Sequence, residues 1–170
     1  SAPRIDLNKL EVELRFFLHE LVKGDFMQAN VPPAVRKIHD IALSGNGEPT
    51  SAREFEQVIE LIGNIKHDFD ALSHIKLVLI TNGSLIARQS VQAGLKRMAQ
   101  LNGEVWFKFD RAQAEERSRV NNTRISLKTI RHHLQIATSL CPTWLQTCVF
   151  RMNGEPPSEQ EITAYLLFVR

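Results

Sequence analysis

Ile75-Lys76-Leu77-Val78-Leu79-Ile80-Thr81-Asn82-Gly83-Ser84 is the stretch that decides the fold. Five of its first six residues are aliphatic. So short and apolar a run suits a parallel strand covered on both faces. It closes on a polar turn, Thr81 to Ser84, and the next helical pattern runs from about Gln89 to Leu101 before Asn102-Gly103 stops it. In α/β proteins, ligands bind where a strand ends in such a turn and feeds a helix.

The same plan appears on either side. Upstream, Ile38 to Leu43 is a short strand that breaks at Ser44-Gly45-Asn46-Gly47-Glu48-Pro49-Thr50. A helix follows over Ser51 to Leu72, with Ser51 and Glu54 spaced as a capping box and Phe55, Val58, Ile59, Ile62 and Ile65 on its buried face. Downstream, Glu104-Val105-Trp106-Phe107-Lys108-Phe109-Asp110 is an aromatic strand. Residues 111–122 read as a short helix and loop. Thr123 is placed to cap a helix from about Ile125 to Leu140, with Leu127, Ile130, Leu134, Ile136 and Ala137 inward. Trp144 to Phe150 reads as a fourth strand, Arg151 to Pro157 as a loop, and Ser158 with Glu161 as the capping box of a last helix. The chain opens with an amphipathic helix from Leu7 that ends at Gly24, and residues 24–37 read as a surface loop.

Strict alternation of helix and apolar strand predicts one parallel α/β domain over residues 1–170, with right-handed crossovers. At 170 residues the chain suits a single core. With 43% hydrophobic and 24% charged residues it is neither disordered nor fibrous. A net charge of +2 is too mild to argue for nucleic acid by itself. No apolar run reaches membrane-spanning length. Cys141 and Cys148 lack the spacing of a zinc site or a disulfide scaffold and fit reduced thiols, which makes the cytoplasm the expected location.

In a parallel sheet the strand ends Ser44–Thr50, Thr81–Ser84, Lys108–Asp110 and Arg151–Glu155 share one edge. Gly45 and Gly47 let backbone approach a ligand. Glu48 can take an ammonium group; Asn82, Ser84 and Asp110 can hold hydroxyls; Lys108 and Arg151 can take a carboxylate or phosphate. Together they suit a zwitterionic ligand carrying a sugar.

Ser44-Gly45-Asn46-Gly47-Glu48-Pro49-Thr50 resembles the Gly-Gly-Glu motif of radical S-adenosylmethionine enzymes, in its Gly-x-Gly-Glu-Pro form. Leu79 to Leu85 is similar to the Thr-Asn-Gly at the family's next strand end, and Gly103 to Asp110 to the following strand in the wyosine-synthase-like subgroup. The resemblance implies a partial (β/α)6 barrel of parallel strands, with the first strand and the last outside this chain. It implies that the turn around Asn46 and Gly47 receives the methionine ammonium of S-adenosylmethionine, with Glu48 supporting the turn. Asn82, Lys108 and Asp110 would meet the ribose or the methionine carboxylate. The cofactor-binding set is thus Ser44, Gly45, Asn46, Gly47, Glu48, Asn82, Lys108 and Asp110.

The family's activity is reductive cleavage of S-adenosylmethionine by a [4Fe-4S] cluster, fed by a flavodoxin or ferredoxin. The cluster's Cys-x-x-x-Cys-x-x-Cys is not in this sequence, so its ligands are expected upstream of Ser1, and the chain by itself is expected to be inactive. A non-catalytic α/β binding or scaffold domain is the alternative. So is a tRNA-modifying member of the superfamily, on a modest basic cluster of Arg117, Arg119, Arg124, Lys128 and Arg131 that otherwise reads as solvated surface. His132 and His133 are adjacent, which is poor metal-ligand geometry, and read as solvated helix face. No P-loop or dinucleotide glycine pattern opens a helix.

Overall fold

The computed structural model describes residues 4–45 and 47–170. Seven α-helices and four strands alternate along them: α1 (Leu7–Val22), α2 (Phe26–Asn30), β1 (Asp40–Leu43), α3 (Phe55–Asp68), β2 (Lys76–Thr81), α4 (Gln89–Gln100), β3 (Gly103–Lys108), α5 (Ala114–Asn121), α6 (Leu127–Leu140), β4 (Thr143–Gln146) and α7 (Glu159–Val169). The strands form one sheet in the order β1-β2-β3-β4, and every pair is parallel. No described helix is long and apolar enough to cross a membrane.

Strand order follows chain order, so each crossover steps the same way across the sheet. Right-handed crossovers then put the helices between the strands on the same face. The packing agrees. Phe55, Val58, Ile59 and Ile62 of α3, Val91, Leu95 and Met98 of α4, and Ile130 and Ala137 of α6 share one cluster with Leu77, Leu79, Val105 and Phe107. Leu7, Leu10 and Leu14 of α1 and Phe168 of α7 join it. These strand residues alternate, as a period of two requires. The other face carries Asp40, Ala42, Lys76, Lys108 and Trp144, all exposed. Val78 and Glu104 on that face are buried, and Ile80, Trp106 and Gln146 are half-buried. The aliphatic run of β2 therefore has helices on one side only among the described residues, where its composition suggested two.

Several boundaries differ from the sequence reading. The segment taken as a surface loop holds α2 and a 3₁₀ turn at Pro33–Val35. Ser51 and Glu54 form no capping box. A 3₁₀ turn occupies Pro49–Ser51, and α3 starts after Glu54, whose side chain makes no cap. Pro at the first position and the Glu48 carboxylate on Thr50 N (3.2 Å) set that earlier turn. Ser126, not Thr123, caps α6 through Thr129 N. Ser158 does cap α7 through Glu161 N (3.1 Å), but the Glu161 carboxylate turns elsewhere. β4 stops at Gln146, so Val149 and Phe150 lie beyond it.

Candidate functional site

The polar strand ends meet at the carboxyl edge of the sheet. Their organiser is Glu48. Its Oε1 accepts from Thr50 Oγ1 (2.6 Å) and Thr81 Oγ1 (2.6 Å), and its Oε2 accepts from the backbone N–H of Asn82 (2.8 Å). One carboxylate thus ties the turn after β1 to the turn after β2. Glu48 is committed to the protein and is not an open seat for an ammonium group; it supports the turn.

The turn it supports is open. Gly45 and Gly47 have φ of +135° and +105°, and nothing lies within 4 Å of where a Cβ would stand on either. Glycine is there for its backbone and not for lack of room. Ser44, Gly45, Gly47 and Glu48 line a cavity of about 280 Å³ floored by Leu43, Phe55 and Val58. Asn46 lies outside the described residues.

Asn82, Lys108 and Asp110 line a second cavity, of about 340 Å³. The expected set therefore does not share one pocket. It splits between two, whose linings are joined by the Glu48–Asn82 bond. In the second cavity, Asn82 Oδ1 accepts from Ser84 N (2.9 Å), which keeps its amide N–H groups for other partners. Lys108 is exposed and makes no ion pair among the described residues. Asp110 is buried; its Oδ1 accepts from Cys148 N (2.8 Å) and its Oδ2 from Asn121 Nδ2 (2.6 Å). This carboxylate fastens the end of β3 to α5 and to the segment after β4, so its first task is structural.

The same wall holds residues that the sequence did not single out for this site. Arg111 and Arg117 are buried there, beside Asn121 and Thr123. Arg111 donates Nη1 to the carbonyls of Asp110 (2.7 Å) and Cys148 (3.3 Å) and lies over the Phe150 ring. Arg117 donates to the carbonyls of Ala112 and Ile125, while its Nε has no partner among the described residues. Burial draws the Arg117 guanidinium below its ordinary value and the Glu161 carboxylate opposes this. It stays charged at neutral pH. Spacing alone gave no signal for Arg117, because the carbonyls it reaches, those of Ala112 and Ile125, are brought to it by the fold.

Arg151 is a correction. It lies past the end of β4, is exposed, lines neither cavity, and donates to Gly154 O (3.1 Å). His133 is another. It is buried, not solvated, and its Nδ1 sits 2.8 Å from Gly83 O, fastening α6 to the turn after β2. Its register with Ile130 and Ala137 was the available signal. The basic cluster also separates: Arg117 is inside, Arg119 pairs with Glu116 (3.3 Å), and Arg131 lies 4.9 Å over the Phe168 ring.

Among the described residues no group of three His, Cys, Asp or Glu side chains is placed to hold a metal ion. Cys141 is buried with Sγ toward Gly103 O (3.4 Å), and Cys148 is exposed on another segment. These two thiols do not fit an iron–sulfur cluster, which takes several converging thiolates. The chain matches no family model, no curated protein and no solved structure in the three comparisons made with known proteins.

Proposed function

We propose that this chain is the S-adenosylmethionine-binding part of a radical S-adenosylmethionine enzyme, folded as part of a (β/α) barrel. The observation that carries the reading is the Glu48 carboxylate. It locks a Gly-x-Gly-Glu turn against the following Thr-Asn-Gly turn and leaves the glycine backbone open. The single direction of winding supports the barrel, because a doubly wound sheet reverses its strand order.

The donors present suit the cofactor. The backbone from Ser44 to Gly47 would take the methionine ammonium. The Asn82 amide and the Lys108 ammonium would take ribose hydroxyls and the carboxylate, with Asp110 holding that wall in place. When bound, S-adenosylmethionine supplies a sulfonium whose reductive cleavage starts radical chemistry. This chain's share is to grip both ends of the molecule and to fix the spacing of the two turns.

The test is anaerobic reconstitution of the full-length protein with iron and sulfide, followed by dithionite and S-adenosylmethionine. A brown protein that releases 5′-deoxyadenosine is expected. Colourless protein that neither binds S-adenosylmethionine nor cleaves it would overturn the proposal in favour of a non-catalytic binding or scaffold domain. A tRNA substrate has less behind it, since of the basic cluster Arg117 is buried, Arg119 is paired with Glu116 and Arg131 lies over the Phe168 ring, which leaves Arg124 and Lys128.

A further inference from the structure

The cavity at the end of β3 is richer in donors than a sugar requires. Lys108, Arg111 and Arg117 line it against a single carboxylate, Asp110, whose two oxygens already accept from Asn121 and Cys148. Glu161, the acid that acts on Arg117, is outside the lining and accepts from the backbone of Ala112 and Gln113. The cavity is therefore net cationic.

Arg117 is the decisive residue. Its side chain is buried at 5% exposure, and its Nε–H alone has no acceptor among the described residues. A buried guanidinium donor left without an acceptor keeps its desolvation cost uncompensated. A guanidinium in the wall of a cavity, beside a lysine with no ion pair among the described residues, favours an anion in that cavity. Asn82 Nδ2 and Ser84 Oγ add neutral donors on the same wall.

We propose that this cavity binds the anionic group of a small molecule, a carboxylate or a phosphate, on the Lys108 ammonium, with the Arg111 and Arg117 guanidinium charges in the wall behind it. The inference rests on the cavity's charge and shares Asn82, Lys108 and Asp110 with the S-adenosylmethionine reading, to which it adds Arg111 and Arg117. Two sources offer the same chemistry: the methionine carboxylate of the cofactor, or an anionic substrate beside it.

Inorganic phosphate, titrated at constant ionic strength and followed by the arginine Nε–H resonances, is the direct probe. Phosphate should shift the Arg117 Nε–H signal to saturation, and Lys108→Ala should weaken that binding roughly tenfold. Lys108 is exposed and unpaired, so this variant keeps the fold. An Arg117 signal that phosphate leaves in place, or affinity unchanged by Lys108→Ala, overturns the proposal. A competition arm identifies the source. If S-adenosylmethionine displaces phosphate and 5′-methylthioadenosine does not, the anion seat belongs to the cofactor's carboxylate. If S-adenosylmethionine and phosphate bind together, it belongs to a substrate. If phosphate binds and S-adenosylmethionine does not, the anion site stands and the cofactor reading falls.

Discussion

Glu48 sets the spacing of two strand ends with one side chain. Replacing it with Ala leaves Thr50 and Thr81 hydroxyls and two backbone N–H groups without their acceptor. The expected loss is about 2–4 kcal/mol, read as a lower urea midpoint at unchanged m. Thr81→Val removes one of these bonds and also the one that Thr81 Oγ1 accepts from Gly83 N (3.0 Å), and should cost about 1–3 kcal/mol. The sequence marked Glu48 as important but not the reason, since the partner at Thr81 is thirty-three positions away. A second residue titrates visibly. Burial, with a lesser push from Glu104, raises the Cys141 thiol from its ordinary value of 9.0 to about 11. The folded protein thus holds this proton where the unfolded chain has released it. The stabilisation is complete below about pH 9 and is lost as pH rises toward 11. It amounts to about 2–3 kcal/mol. Cys141→Ala should flatten this part of the pH–stability curve; a slope unchanged by the substitution would assign it to other groups.

Elements were legible where their periodicity is local. α1, α4 and the core positions of α3 follow apolar spacings that depend only on neighbours in sequence. Caps were less legible, because a carboxylate near a helix start can serve another helix. Glu161 is the case in point. Spaced to close its own capping box at Ser158, it instead accepts from the N–H groups of Ala112 and Gln113 (2.8 Å for the latter), at the start of α5. Only the fold brings these segments together, so the sequence pattern showed the residue and not its partner. Glu161 therefore joins α7 to α5, and α5 carries Arg117 and Asn121 in the cavity wall. Glu161→Ala should destabilise by about 2–3 kcal/mol. Hydrogen exchange should show α5 and α7 losing protection together while α1 and α3 keep theirs. Equal loss in all four helices would mean that Glu161 supports the core as a whole.

At the scale of the molecule, a singly wound parallel sheet leaves one face without helices among the described residues. Parallel sheets are ordinarily covered on both sides, and the composition of β2 pointed that way. What the composition did not disclose is how the uncovered face is furnished. Glu104 is buried there and accepts from Trp106 Nε1 (2.8 Å) and Trp144 Nε1 (3.3 Å), and it pairs with Lys76. Burial alone would raise its carboxyl, yet these three donors together hold it below its ordinary value. Both tryptophans of the chain are thus on this one face, and Trp144 is 62% exposed. Tryptophan emission reports on the open face and nothing else. In dilute protein the emission should be shifted toward that of water-exposed indole and quenched by acrylamide. Trp144→Phe should remove most of that quenching and move the remaining emission to shorter wavelength, because Trp106 is half-buried. If the wild-type emission is instead shielded and becomes quenchable only on dilution, a second copy covers the face. Shielding that persists at every concentration would mean that the chain itself covers this face of the sheet.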